Sequence, residues 1–152
     1  MGERLSELRR SFLIVDAILG AIGLIALFVA SLGIVNTMVM SILERTHEIG
    51  IMKSIGASNK EIKLIFFVEA SVIGFMGGVF GLVLGWLVTR LANLVINSQL
   101  VPLGEEPVDL FYFPAWLILG SLLFSIVISL IAGLYPATRA SKIDPVKALR
   151  HD

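Results

Sequence analysis

An uncharged, apolar stretch of 27 residues, from position 17 to position 43, constrains this chain more than any other feature of its sequence. An α-helix of about 20 apolar residues crosses the hydrocarbon core of a bilayer. Two further stretches, at 70–89 and 115–135, also contain no charged side chain. Charged residues make up only 16% of the chain, against about 25% in ordinary soluble domains. The sequence therefore predicts an all-α integral membrane protein with three transmembrane helices.

Charged, proline and glycine residues interrupt the apolar stretches and define the predicted segments. We expect the third span to end or bend at Pro136, because proline lacks a backbone N–H. The pair Asp144-Pro145 is typical of a helix start and predicts a short helix at 145–150. The predicted order is an extracytoplasmic polar segment at 1–11, a first span at 12–43, a charged connector at 44–57, a second span at 58–96, a loop at 97–114, a third span at 115–136 and a tail at 137–152.

The connector, read with Ser58 as ERTHEIGIMKSIGAS, has well-defined ends. Gly56 suits the left-handed conformation that stops many helices. Ser58 and Glu61 have the spacing of a capping box, in which each side chain accepts a hydrogen bond from the other residue's backbone N–H. We therefore expect one helix to end near Gly56 and another to begin at Ser58.

Apolar residues of the connector recur at helical spacing. Ile49, Met52 and Ile55 are three residues apart and predict one apolar face. A short helix of this kind lies along the membrane surface or in the groove of a partner protein. A plain amphipathic connection between two spans is the alternative, and periodicity alone does not separate the two. The charged residues that lie mostly away from this face are Glu44, Arg45, Glu48 and Lys53.

Glycines in the second span recur at intervals of four residues. Such faces of small residues let two helices approach closely inside a membrane, where packing drives association. The pattern therefore predicts helix packing, with a dimer interface as one setting for it. The residues selected are Gly74, Gly78, Gly81 and Gly85.

Glu69 is the acidic residue nearest to the uncharged part of the second span. A carboxylate at this depth is either a proton relay or ion ligand, or a group held at the membrane interface. Lys63 lies fewer than two turns before it, so an ion pair at the interface or a side chain extended toward the interface is the preferred interpretation.

Basic residues predict how the chain crosses the membrane. Positions 44–63 and the tail hold four lysine or arginine residues each, whereas the loop at 97–114 holds none. Since basic segments stay inside, the connector and the C-terminus are predicted to be cytoplasmic and the N-terminus outside. Arg4, Arg9 and Arg10 partly oppose this orientation, which suggests a fragment or a missing upstream spanning helix.

Catalytic motifs are missing from the sequence. There is no phosphate-binding loop of the G-x-x-x-x-G-K-[ST] type, and His47-Glu48 lacks a second histidine at position 51, where Ile51 stands. There is no cysteine, and 12 basic residues balance 12 acidic ones, so nucleic acid is not an implied partner. We therefore expect no catalytic residue, no metal site and no enzyme activity in this chain.

Two motifs resemble the FtsX-like permeases, and most closely the MacB-type permeases of ABC transporters. The first is ERTHEIGIMKSIGAS together with the preceding SLGIVNTMVMSIL, and the second is the ending LYPATRASKIDPVKALRHD. The resemblance covers roughly 12–150, which is nearly the whole chain.

The resemblance implies the last three helices of a four-helix permease in a bacterial or archaeal cytoplasmic membrane. ATP and Mg²⁺ would be bound by a partner ATPase, with no cofactor in this chain. ATP-driven motion would be transmitted to an extracytoplasmic domain and would drive export of a drug, peptide or lipoprotein. The implied partners are the ATPase subunit, a second permease subunit in a homo- or heterodimer, a periplasmic adaptor or outer-membrane protein, and membrane lipid. The implied coupling helix, at 44–57, would contact the ATPase through Glu44, Arg45, Glu48, Ile49, Met52 and Lys53.

Two other classes of function stay open at this point. One is a small membrane scaffold that works without an ATPase, and the other is a fragment of a secondary transporter. Secondary transporters usually have more helices and ionisable groups at mid-depth, and the three uncharged stretches hold none. The substrate cannot be read from any of these features.

Overall fold

The computed structural model describes residues 2–100 and 114–149. Within these ranges the chain forms five helices: α1 (Gly2–Glu44), α2 (Thr46–Ser54), α3 (Asn59–Leu100), α4 (Ala115–Ser141) and α5 (Pro145–Leu149). By length and composition, three segments there can cross a membrane: Arg9–Glu44, Asn59–Ser98 and Ala115–Ser141, with mean hydropathies of 2.7, 2.0 and 2.6. The predicted all-α membrane fold with three spans is therefore confirmed.

The first two long helices extend beyond the predicted segment boundaries. α1 is continuous from Gly2, so the polar segment at 1–11 and the first span form a single helix. α3 continues to Leu100 instead of ending at 96, and the rest of the predicted loop, 101–113, lies outside the described residues. At 1.5 Å per residue, the 43 residues of α1 span about 65 Å, roughly twice the thickness of the hydrocarbon core. Part of this helix must therefore tilt or project beyond the bilayer.

α4 continues through Pro136 to Ser141, so the helix does not end at this proline, which was the first of the two predicted alternatives. A proline inside a helix loses one backbone hydrogen bond and crowds the preceding turn, at a cost of about 3 kcal/mol. Burial offsets this cost, because Pro136, Ala137 and Ala140 are all enclosed by the surrounding helices. The sequence shows where the proline is, but it does not show the packing between helices that keeps α4 helical around it.

Helices α3 and α4 share the most extensive contact in the bundle, and small side chains lie between them. A Cβ atom added to Gly74 would lie 2.7 Å from the Cβ of Ser129 and 2.9 Å from the Cα of Ile126. Ser125 donates its hydroxyl to the carbonyl of Gly74 at 2.7 Å, and Ser129 donates to the carbonyl of Ala70. Close approach and hydroxyl-to-carbonyl bonds hold helices together in lipid, where burial of apolar surface gives no gain.

The glycines selected from the sequence differ in their surroundings. Gly78 also lies against α4, with the Cβ of Ser125 3.1 Å from the place where a Cβ of Gly78 would be. At Gly81 and Gly85 an added Cβ would meet no atom of the described residues within 4 Å. Gly74 and Gly78 therefore lie at a helix contact within this chain, whereas a dimer interface at Gly81 and Gly85 stays a prediction.

The buried core lies at one end of the bundle, where α2 packs against α1, α3 and α4; we call this the connector end. Met38 of α1 is completely enclosed there and lies beside Gly133 of α4. Farther along α1, the side chains face outward, as at Ile22 and Phe28. The helices are thus packed most closely where the short helix joins them. The core residues are Met38, Ile42, Ile49, Ile62, Phe66, Ala70, Ala137 and Ala140.

Gly74→Ala is expected to destabilise the bundle, because the new methyl group would overlap Ser129 and Ile126. Overpacking of this kind costs about 1–3 kcal/mol. Gly77→Ala, also on α3, is the matched control, since it makes the same gain in helix propensity and its added Cβ would meet no atom of the described residues within 4 Å. Thermal unfolding of the chain in detergent measures the difference. Equal unfolding temperatures for the two variants would contradict the described contact between α3 and α4.

Candidate functional site

The chain leaves the helical conformation at Arg45, between α1 and α2. Arg45 stays bonded to both helices: its N–H donates to the carbonyl of Ser41 at 3.1 Å, and its carbonyl accepts from the N–H of Ile49 at 3.0 Å. The hydroxyl of Thr46 donates to the carbonyl of Ile42 at 2.8 Å. These bonds set the direction of α2 relative to the first span.

α2 ends in a Schellman motif. Gly56 has a φ of 109°, in the left-handed region that favours glycine. Its N–H donates to the carbonyl of Lys53 at 3.1 Å, and the N–H of Ala57 donates to the carbonyl of Met52 at 2.9 Å. These two bonds define the motif, so the predicted helix stop at Gly56 is confirmed.

The capping box predicted at the start of α3 is present. The N–H of Ser58 donates to Oε2 of Glu61 at 2.7 Å, and the N–H of Glu61 donates to Oγ of Ser58 at 3.3 Å. The helix in the connector is shorter than the predicted segment 44–57. It comprises Thr46–Ser54, and Glu44 is the last residue of α1.

The inner face of α2 belongs to the buried core. Ile49 is only 1% exposed, Gly50 is buried beside it, and Met52 is half-buried against the same core. The predicted apolar face also includes Ile55, but this side chain does not share the burial of Ile49 and Met52 and is 82% exposed. Ile55 lies beyond the last helical residue, where the chain reverses at Gly56, so helical spacing no longer applies to it.

The opposite side of α2, together with its C-cap, is exposed and mixes apolar with charged groups. Ile51 is 45% exposed and with Ile55 presents two aliphatic side chains at the surface. His47 and Glu48 are exposed as well. His47, Ile51 and Ile55 are not among the predicted contact residues, although the four-residue spacing of positions 47 and 51 places those two on one helical face. We define the outer face as His47, Glu48, Ile51 and Ile55.

Lys53 ties α2 to the end of α4. Its Nζ donates to the carbonyl of Ser141, the last residue of α4, at 2.9 Å, and to the carbonyl of Ile143 in the following turn at 2.8 Å. Carbonyls at the C-terminus of a helix lack intrahelical donors and carry partial negative charge. An ammonium group both donates hydrogen bonds to them and neutralises that charge. The partners lie 88 and 90 positions away in the chain, beyond the reach of any local pattern.

α5 completes the packing around α2. Asp144 caps it: Oδ1 accepts from the N–H of Val146 at 2.9 Å, and the carbonyl accepts from the N–H of Ala148 at 3.0 Å. The predicted helix after Asp144 is confirmed as Pro145–Leu149, with Arg150 outside the described residues. Since α5 packs against α2, the short helix contacts the tail as well as the spans that it connects.

The six residues predicted to contact an ATPase fall into different environments. Ile49 is buried in the core and Lys53 is bonded to α4, so the structure corrects the assignment of these two to a partner's surface. Met52 is half-buried. The residues with exposed side chains are Glu44, Arg45 and Glu48.

Glu69 has its partner on α1. The hydroxyl of Ser41 donates to Oε1 of Glu69 at 3.3 Å. An ion pair with Lys63, one of the two preferred interpretations, is disfavoured because the six-residue separation places the two side chains about 120° apart around the helix. A carboxylate extended toward the interface stays a prediction. The carboxylate therefore joins α3 to α1 near the connector end.

Lys53→Met is expected to loosen α2 and α5 from α4, because two carbonyls lose their charged donor. Each such bond contributes about 1.5–3 kcal/mol, so the amide of Ala148 should exchange with solvent at least about tenfold faster. Hydrogen exchange with mass spectrometry measures this rate. Lys60→Met is the control, since Lys60 is exposed in the first turn of α3. Identical exchange in both variants would contradict the role of Lys53.

Comparison with known proteins agrees with this architecture. The family model described as FtsX-like permease C-terminal matches residues 20–145. An ABC transporter permease of Methanocaldococcus jannaschii is 42% identical over 127 residues, covering 83% of this chain and 30% of the relative. The ABC transporter permease YtrF of Bacillus subtilis is 38% identical over 136 residues, covering 86% and 31%. The macrolide export ATP-binding/permease protein MacB of Syntrophobacter fumaroxidans is 33% identical over 152 residues, covering all of this chain and 20% of the relative.

The matched residues include α2 with both of its end signals, all of α4 and the Asp144 cap. The chain spans between a fifth and a third of the length of these relatives. The resemblance seen in the two sequence motifs is thereby confirmed. This chain belongs to the FtsX-like permease family.

Proposed function

We propose that the chain is the transmembrane part of an ABC transporter and couples ATP hydrolysis on a partner ATPase to motion of an extracytoplasmic domain. The relatives support this, since two are named ABC transporter permeases and the third an ATP-binding/permease protein. In this proposal the ATPase holds ATP and Mg²⁺, and hydrolysis takes place outside this chain. The chain itself contributes a mechanical connection.

The two-sided environment of α2 is the observation that carries the proposal. Its inner face is packed into the core through Ile49, while Ile51 and Ile55 are exposed beyond it. An exposed pair of aliphatic side chains next to charges is suited to a groove on another protein. The inner face already packs α2 against the spans, so this exposed pair is left for a further surface.

The contacts of α2 suggest how a push on the outer face would spread. α2 is continuous in sequence with α1 and α3, and Lys53 bonds it to the end of α4. Ile49 lies in the same core as Met38, Ile62 and Ala137, which belong to α1, α3 and α4. Because packed cores transmit displacement with little compression, movement of α2 would move the three spans together at this end.

Further partners belong to the same proposal. A second permease subunit would form a homo- or heterodimer, with Gly81 and Gly85 as predicted contact positions. The chain would lie in a bacterial or archaeal cytoplasmic membrane with the N-terminus outside. Export of a drug, peptide or lipoprotein, with a periplasmic adaptor or an outer-membrane protein, follows from the MacB-type resemblance.

Ile55→Asp is expected to weaken ATPase binding without unfolding the chain, because this side chain is 82% exposed. Burial of such a side chain at an interface is worth about 1.5–3 kcal/mol, so affinity should fall about 10- to 100-fold. The permease is co-expressed with the ABC ATPase encoded nearest to it, and co-purification and stimulated ATP hydrolysis are measured.

Ile55→Leu is the matched control for that experiment and should keep both binding and stimulation. Full stimulation by a double variant, Ile55→Asp with Glu48→Lys, would rule out the outer face of α2 as the ATPase contact. If the unaltered permease neither binds the ATPase nor changes its rate, the scaffold without an ATPase becomes the better account.

The proposed orientation can be tested by labelling, because the chain has no cysteine of its own. A membrane-impermeant maleimide added to intact spheroplasts should label Gly104→Cys, in the predicted outer loop. Ile55→Cys should be labelled only after the membrane is opened, since α2 is proposed to face the cytoplasm. The reverse pattern would overturn the topology.

A further inference from the structure

One side of α4 changes from apolar to basic as it approaches the connector end. Exposed side chains follow each other at steps of three or four residues, so they share one helical face. Phe124, Val127 and Ile131 make up its apolar part. Tyr135, 61% exposed, comes next, at the point where membrane proteins place aromatic side chains near the headgroups.

A shallow recess of about 360 Å³ follows this apolar face. The described residues that line it include two cations, Arg139 and Lys142, and no carboxylate. Both cationic side chains are exposed. Asp144 is the nearest acid along the chain, and one of its carboxylate oxygens accepts from the N–H of Val146. The recess is therefore a shallow, positively charged surface on α4 and its C-cap.

We propose that this recess binds the phosphate of an anionic phospholipid whose acyl chains lie along the apolar face of α4. Guanidinium and ammonium groups donate charge-assisted hydrogen bonds to phosphate oxygens. The phenol of Tyr135 adds a neutral donor on the membrane side. Basic pockets on the cytoplasmic side of membrane proteins bind anionic lipid headgroups.

The position of the recess along the helix favours a lipid over a soluble anion. Arg139 and Lys142 lie about 12 and 16 Å beyond Ile131, at 1.5 Å per residue. A phospholipid that places its chains beside Ile131 would bring its phosphate to the level of these cations. A free phosphate would use the cations alone and gain nothing from the apolar face that leads into them.

The test measures binding of a fluorescent phosphatidylglycerol to the purified chain in a neutral detergent. The double variant Arg139→Gln, Lys142→Gln should bind about 25-fold more weakly, or about fivefold for each charge removed. The control, Lys60→Gln with Lys147→Gln, removes two exposed cations elsewhere and should bind as the unaltered chain does. Fluorescent phosphatidylcholine should bind the unaltered chain about as weakly as phosphatidylglycerol binds the double variant.

Three results would overturn the proposal. Equal weakening in the control would mean that overall charge attracts the lipid. Equal binding of phosphatidylcholine would mean that the headgroup charge is not recognised. Displacement of the lipid by inorganic phosphate at similar concentration would mean a site for soluble anions.

Circular dichroism checks the fold of the double variant. If the double variant does not fold, the single variant Lys142→Gln replaces it, with an expected fivefold loss of binding.

Discussion

The contact between the ammonium group of Lys53 and the carbonyl oxygens of Ser141 and Ile143, at 2.9 and 2.8 Å, is the interaction on which the connector end depends. Without it α2 would be held by its hydrogen-bonded junctions with α1 and α3 and by apolar packing. With it, the short helix is joined to the third span as well. A charged donor on these carbonyls is directional and costly to break, which is consistent with the proposed mechanical coupling.

Packing elsewhere in the bundle is consistent with this joint. Met38 and Ile49 are enclosed at the connector end, and the fit of α4 against Gly74 leaves no room for a larger side chain on α3. Farther along α1, at positions such as Phe28, the side chains face outward. The bundle thus combines a tightly packed end with a more open region, where lipid or further protein can lie. In the proposed function, a small displacement at α2 would reach all three spans.

Local rules were sufficient for much of the fold. The uncharged stretches identified the spans, and the short-range signals at Gly56, Ser58 and Asp144 correctly marked where helices end and begin, because each acts through bonds within a few residues. What the sequence could not reveal depends on distant contacts. The continuation of α4 through Pro136 and the inward direction of Lys53 are both set by packing between helices.

The central claim is that an ATPase docks on the outer face of α2, and site-specific photo-crosslinking tests it most directly. Benzoylphenylalanine is placed at position 55, and at position 123 as a control, where Leu123 is 64% exposed on a membrane span. In a complex that hydrolyses ATP, the account predicts a crosslink between the ATPase and position 55 and none from position 123. An active complex that gives no product at position 55 would contradict it.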